Sequence, residues 1–152
     1  MKKAIRVFLV ILLIASGYVK AELRPELAFG LQFRKNTFSE ALQMAKKENK
    51  LIFLYVNASW CGPCIELKMT TFRSKAVGEQ YNSAFVNISL NGEKGDGPAL
   101  ARKYQVRGYP TFLFINSDGK VVYRTDGFLN AKNFLDLGER ISKMNQRTLK
   151  RG

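Results

Sequence analysis

The chain has 152 residues, of which 46% are apolar and 24% are charged, with 25 Lys and Arg against 12 Asp and Glu. This composition predicts one globular domain and excludes an intrinsically disordered chain. Histidine is absent and cysteine occurs twice. These counts exclude Ser-His-Asp and Cys-His catalytic sites and leave too few nitrogen and sulfur ligands for a zinc site.

The N-terminus has the pattern of an export signal. Lys2, Lys3 and Arg6 precede an unbroken apolar run over residues 7–15. The run is shorter than the about 20 residues that span a bilayer, and it matches the core of a signal peptide. We predict a signal peptide over residues 1–21, with an uncleaved N-terminal membrane anchor as the alternative.

Cleavage after residue 21 removes four basic residues, which lowers the net charge from +13 to +9. The remaining basic residues are scattered, which is typical of a solvated surface; the alternative is attraction to acidic partners or to an anionic membrane face. They do not interleave with aromatic residues as in nucleic-acid-binding modules, so no nucleic-acid partner is expected.

Helices and strands alternate along the rest of the chain. Residues 22–36 form a lead-in with a short strand at 31–33, and residues 37–152 form the domain. Thr37 and Glu40 match a capping box at the start of an amphipathic helix. A buried central strand of a largely parallel sheet is predicted over 51–56, and a helix follows from the cysteines to about Phe72. Next come a helix over 75–82, a strand over 84–89 and a helix over 98–104. The last elements are a strand over 111–116, a hairpin turn over 117–120, a strand over 121–125, and a helix from the cap Asn130 to about Asn145.

Both cysteines lie in the stretch SWCGPCIE, directly after the predicted central strand. Cys61 and Cys64 fit within one turn of a helix, and Pro63 suits the first turn because its missing N–H would be unpaired there. A disulfide across so short a loop removes little entropy from the unfolded chain. The spacing therefore favours a pair that cycles between dithiol and disulfide over a structural disulfide or half of a zinc site.

Two motifs carry a family resemblance. WCGPC at residues 60–64 resembles the active-site motif of thioredoxins, and RGYPT at residues 107–111 resembles the loop of that family that ends in a cis-proline before the third strand. The resemblance covers residues 38–145. It implies an α/β thioredoxin fold: a central mixed sheet with parallel strands and a C-terminal antiparallel hairpin, with helices on both faces. The chain is most similar to exported thioredoxin-like proteins and to the soluble domain of periplasmic thiol reductases.

The resemblance also implies the chemistry. Cys61, exposed and favoured as a thiolate by the helix N-terminus, attacks a substrate disulfide, and the more buried Cys64 resolves the mixed disulfide. No cofactor is implied beyond this redox-active pair. The supporting residues are Trp60, which shields one side, Gly62, which permits close backbone approach, Pro63, which stiffens the turn, and Tyr109 and Pro110, which bind the substrate.

Three positions depart from the family pattern. Tyr55 stands where a buried Asp is usual, Phe85 stands where we place its partner Lys, and Ile65 replaces a common Lys after the second cysteine. With Tyr55, no buried carboxylate takes the proton of Cys64. We therefore predict slow resolution near neutral pH, with a steep dependence on pH.

The sequence thus predicts a monomeric, periplasmic protein disulfide reductase. Its substrates are proteins or peptides with disulfides, and its electrons come from a membrane thiol reductase. A disulfide oxidant or isomerase is one alternative. The other is a module that binds extended peptides at Tyr109 and Pro110 with little turnover.

Overall fold

A computed structural model describes residues 29–151. The predicted signal peptide and most of the lead-in lie outside these residues. Within them, no helix has the length and apolar character needed to cross a membrane. The elements are α1 (Phe38–Glu48), β1 (Leu51–Asn57), α2 (Gly62–Met69), a 3₁₀ turn (Thr71–Arg73), α3 (Lys75–Ala84), β2 (Phe85–Asn91), α4 (Gly97–Lys103), β3 (Thr111–Ile115), β4 (Val121–Asp126) and α5 (Ala131–Leu149).

The four strands form one mixed sheet in the order β2-β1-β3-β4. β1 pairs in parallel with β2 and antiparallel with β3, and β3 pairs antiparallel with β4. The mixed sheet and its hairpin confirm the predicted fold class, but the expectation of a largely parallel sheet is wrong. Because β1 is parallel to β2 and antiparallel to β3, the chain enters β3 at the end of the sheet where it left β2.

Helices cover both faces of the sheet. On one face, aromatic side chains of the strands pack against α2, α3 and α5. On the other face, aliphatic side chains such as Ile52 and Leu54 pack against α1 and the end of α4. All seven residues of β1 are buried because this strand has a neighbour on each side and helices on both faces. This burial on both faces explains the continuous apolar run at residues 51–56.

The predicted strand at residues 31–33 is wrong. The backbone N–H of Leu31 donates to the Phe72 carbonyl, and that of Arg34 to the Asn87 carbonyl. Between them, the N–H of Gln32 donates to the Asn82 side chain at 2.9 Å. Because these donors bond to three different parts of the fold, the segment has no continuous ladder and does not form a strand.

The helix boundaries agree with the sequence except after the cysteines and at the end of the C-terminal helix. The capping box of Thr37 and Glu40 is present, with both of its hydrogen bonds. The helix expected to reach Phe72 ends at Met69, and a 3₁₀ turn follows. There the Thr71 hydroxyl donates to the Leu129 carbonyl at 2.7 Å, a long-range contact that sequence periodicity does not reveal. The C-terminal helix continues to Leu149, beyond the predicted end.

Candidate active site

The two cysteines lie where the central strand gives way to a helix. β1 ends at Asn57, and the Cys61 N–H donates to the Ala58 carbonyl at 3.3 Å, which closes a turn. Cys61 is the N-cap residue of α2, and Pro63 lies in the first turn as predicted. The strand therefore delivers Cys61 to the N-terminus of a helix, where backbone N–H groups and the helix dipole favour negative charge.

Cys61 and Cys64 form a disulfide, with an S–S distance of 2.01 Å. The Sγ of Cys61 accepts a hydrogen bond from the Cys64 N–H at 3.1 Å. The expectation of an exposed Cys61 is wrong in this oxidised form, because Cys61 is 2% exposed and Cys64 0%. The extended backbone of Cys61 (φ −74°, ψ 104°) places its sulfur over the start of the helix and away from solvent.

Tyr55 lies beneath the disulfide in the aromatic part of the core. Its hydroxyl donates to the Cys64 carbonyl at 3.3 Å, and burial raises the pKa of its phenol. Within residues 29–151 the buried polar side chains are Asn and Thr, with no carboxylate among them. The structure thus bears out the absence of a buried carboxylate near Cys64 in the described part of the chain.

Phe85 does not occupy the position opposite Tyr55. The strand register places Phe85 opposite Leu51, and Ser89 opposite Tyr55. The ring of Phe85 instead packs against Tyr81 and Phe114. Our placement of Phe85 as the partner of the Tyr55 position is therefore wrong, by four residues along the strand.

Trp60 and Tyr109 form an aromatic pair next to the cysteines. Their rings meet edge-to-face with centroids 5.9 Å apart, and Trp60 remains 70% exposed. The indole N–H of Trp60 points at the Glu93 carboxylate, 3.0 and 3.1 Å from its two oxygens. Burial and the nearby Glu93 charge raise the pKa of the Tyr109 phenol. A Cβ at Gly92 would lie 2.5 Å from the Tyr109 hydroxyl oxygen, so the ring depends on that glycine for its space.

Glu93 and Gly92 are site residues that the sequence analysis missed. They belong to the stretch NGEKGDG, which separates a strand from a helix and has the composition of an ordinary loop. The signal that could have found them is positional, since parallel strands β1 and β2 end at the same edge of the sheet. The loop after β2 must therefore lie beside the motif after β1.

The second predicted motif is held in place by the hairpin strand. The Tyr109–Pro110 peptide bond is cis, as predicted, and Pro110 is buried. The Pro110 carbonyl accepts from the Gly127 N–H at 2.9 Å. The Thr111 hydroxyl lies 2.6 Å from an Asp126 carboxylate oxygen. These contacts fix the loop to the last residue of β4 and to the residue after it.

Exposed apolar side chains extend from the cysteines along α2. Ile65 and Met69, one turn apart, are 52% and 60% exposed. No atom of the described chain lies within 4 Å of the position that a Cβ would take at Gly62, so the close backbone approach predicted there stays a prediction. The space beside Gly62 is open.

The arrangement can exchange a disulfide for two thiols. Among residues 29–151, His, Cys, Asp and Glu side chains form no group of three or more that could hold a metal ion. A disulfide between cysteines three positions apart at a helix N-terminus, next to a cis-proline loop, defines the class: a thioredoxin-type thiol–disulfide oxidoreductase.

Comparison with known proteins gives the family. Residues 38–142 match the model of the thioredoxin-like domain, and the chain belongs to this family. It is 32% identical over 109 residues to the thiol:disulfide interchange protein DsbD of Photorhabdus laumondii, covering 68% of this chain and 19% of that protein. The chain thus spans about a fifth of the length of this relative.

Two solved structures are similar over most of the described domain. A candidate disulphide-isomerase from Bacteroides thetaiotaomicron is 44% identical, with a TM-score of 0.65, over 74% of this chain and 95% of that one. The oxidised C-terminal domain of Neisseria meningitidis DsbD is 25% identical, with a TM-score of 0.58, over 72% of this chain and 97% of that one.

Proposed function

We propose that this oxidoreductase reduces protein disulfides in the periplasm, after removal of residues 1–21 as a signal peptide. One observation carries the chemistry: the Cys61 sulfur lies at the N-terminus of α2 and accepts a hydrogen bond from the Cys64 N–H. The Gly62-Pro63 pair between the cysteines, which resembles that of reducing thioredoxins, supports the direction. The similarity to DsbD supports the compartment and a membrane thiol reductase as the electron donor.

The proposed cycle starts from the dithiol. The Cys61 thiolate attacks one sulfur of the substrate disulfide, so that a mixed disulfide forms and the other substrate sulfur leaves as a thiolate that takes up a proton. Cys64, as a thiolate, then attacks the Cys61 sulfur and releases the second substrate thiolate. The substrate gains two electrons and the protein is left with its disulfide. The donor's dithiol returns it to the reduced form by the same exchange.

The neighbouring residues receive roles from their positions. Trp60 and Tyr109 form a wall beside the cysteines, and the open space at Gly62 admits a substrate chain. Tyr109 and Pro110 present the loop along which that chain lies. Because Cys61 is nearly buried, these surfaces must guide the substrate sulfur to it along a defined direction.

The test of the enzyme is a Cys64→Ala variant. It cannot resolve the mixed disulfide, so it should accumulate covalent complexes with protein substrates that dithiothreitol releases. Cys61→Ala is the matched control and should accumulate none. If Cys64→Ala bound peptides without forming such complexes, the protein would be a peptide-binding module instead.

The test of direction is the reduction potential of the pair, measured against glutathione. We expect a value of about −270 mV, at the reducing end of the range for this chemistry. The 44% identity to a candidate disulphide-isomerase favours isomerisation as a second function, for which about −180 mV is expected. A value of about −120 mV would make the protein an oxidant and would refute the proposed direction.

The test of location is the N-terminal sequence of the protein recovered from a periplasmic fraction. A new N-terminus after residue 21 would agree with cleavage and release. An intact N-terminus in the membrane fraction would favour the uncleaved anchor.

A further inference from the structure

Basic side chains collect at the end of the molecule opposite the disulfide. β1 begins there, directly after α1, and runs about 20 Å to the turn that carries Cys61. α5 runs the other way, and near its end the Asn145 side-chain amide donates to the Asn49 carbonyl at 3.4 Å. The ends of the two helices thus meet at this pole. We call the basic residues of the last two turns of α1 and α5, with those of the two residues that follow each helix, the distal basic patch: Lys46, Lys47, Lys50, Lys143, Arg147, Lys150 and Arg151.

Few acidic groups neutralise this patch. Glu48 pairs with Lys50 at 3.1 Å and with Arg34 at 3.2 Å, and Glu139 pairs with Lys143. The hairpin turn at the same pole adds one acid and one base, Asp118 and Lys120, and so no net charge. Within the described chain, the remaining members of the patch make no salt bridge: Lys46, Lys47, Arg147, Lys150 and Arg151.

Exposed apolar side chains lie among these cations. Met144 and Leu149 are 38% and 52% exposed on the last turns of α5. Basic side chains with interspersed apolar ones suit the boundary of an anionic bilayer, where the cations meet headgroups and the apolar groups enter the acyl boundary. The patch consists of the projecting ends of two helices, which fits a broad charged surface better than it fits a small ligand.

We propose that the distal basic patch binds an anionic phospholipid surface and holds the protein with its disulfide facing away from that surface. The orientation follows from the sheet, because β1 separates the patch from the cysteines by its whole length. The proposal does not rest on the direction of the redox reaction, and its test uses no protein substrate.

The test is binding to vesicles made from equal parts of phosphatidylglycerol and phosphatidylcholine, compared with vesicles of phosphatidylcholine alone. The protein is purified from an exporting host, so wild type and variants share the same N-terminus. Wild type should bind the anionic vesicles far more tightly, and added NaCl should weaken that binding because salt screens exposed charges. Any contribution of the N-terminus is common to all samples.

Charge reversal locates the surface. The patch variant carries Arg147→Glu, Lys150→Glu and Arg151→Glu, and it should bind the anionic vesicles at least about 100-fold more weakly. A control with Lys35→Glu, Lys94→Glu and Arg102→Glu has the same net charge, but its changes lie outside the patch. It should lose less than about tenfold, because distant charges are largely screened. Unchanged circular dichroism would show that both variants are folded.

Three results would overturn the proposal. They are equal binding to the two kinds of vesicle, equal weakening of vesicle binding in the two triple variants, and binding to polyglutamate with none to vesicles. The last result would indicate an acidic protein partner.

The orientation is tested separately: dithiothreitol should reduce the disulfide of vesicle-bound and free protein at the same rate. A rate more than about tenfold slower on vesicles would refute the outward-facing disulfide.

Discussion

Tyr55 offers a direct test of how Cys64 loses its proton when it resolves a mixed disulfide. The phenol is buried, its pKa is raised, and its hydroxyl donates a hydrogen bond to the Cys64 carbonyl. It is therefore a donor at neutral pH and cannot serve as the base. Without a neighbouring base, the resolution rate should follow the thiolate fraction of Cys64 and rise about tenfold per pH unit below the thiol pKa.

Two substitutions separate the role of Tyr55 in stability from any role in proton transfer. Tyr55→Phe removes one hydrogen bond of 3.3 Å, which should lower the free energy of unfolding by about 1 kcal/mol and Tm by about 3–5 °C. Its pH profile should match that of wild type. Tyr55→Asp replaces a buried aromatic ring and should cost about 3–5 kcal/mol. If it folds, its carboxylate should accelerate resolution near neutral pH and flatten the profile.

The assay follows the reaction of the reduced protein with a symmetrical aromatic disulfide that releases a coloured thiolate. The first absorbance phase reports attack by Cys61, and the second reports resolution by Cys64. The leaving thiolate is a weak base, so it does not supply the missing proton acceptor. Cys64→Ala should show the first phase alone, which assigns the second phase to resolution.

Either of two results would contradict the absence of a base at Cys64. A resolution rate that stays flat from pH 6 to pH 8 in wild type would mean that a base acts on Cys64. A Tyr55→Phe variant that resolves more than about tenfold more slowly, with an altered pH profile, would mean that the phenol itself carries the proton. A change in Tm alone would leave the role of Tyr55 structural, as we expect.

Two further predictions concern the loop after β2 and the start of α1. Gly92→Ala should displace the Tyr109 ring, lower stability by about 1–3 kcal/mol and slow disulfide reduction, whereas Gly108→Ala, where a Cβ meets no atom within 4 Å, should do neither. The Thr37 N–H lowers the pKa of Glu40, so Glu40 stabilises the fold above its unfolded pKa and loses this effect as pH falls through the folded value. Urea denaturation from pH 3 to pH 7 should show that the free energy of unfolding falls less at acid pH in Glu40→Gln than in wild type. An identical fall in the two proteins would contradict this prediction.

The sequence predicted those parts of the fold that depend on neighbouring residues. The buried strand β1 follows from a continuous apolar run, and the start of α1 follows from the capping pair Thr37 and Glu40. The cis peptide bond at Pro110 followed from the resemblance of its motif. These signals lie within a few residues of one another, so one sequence suffices to find them.

The predictions that failed depend on contacts between distant segments. The direction of β3 and the residue opposite Tyr55 depend on the pairing and register of strands that are distant in the sequence. The burial of Cys61 depends on its backbone dihedral angles at the helix cap. Glu93 accepts the hydrogen bond of Trp60, which lies 33 residues away in the sequence. A local sequence pattern does not reveal any of these features.

The near-complete burial of Cys61 affects which molecules can exchange electrons with the disulfide. Thiol–disulfide exchange requires three sulfur atoms to come into contact, so its rate depends on access as well as on potential. A sulfur that is 2% exposed offers little to small thiols and disulfides that collide at random. Under the proposed function, a substrate that fits against Trp60 and the Pro110 loop presents its own sulfur in the open direction. In that case burial insulates the pair kinetically, and shape as well as the ambient redox balance decides which molecules exchange electrons with it.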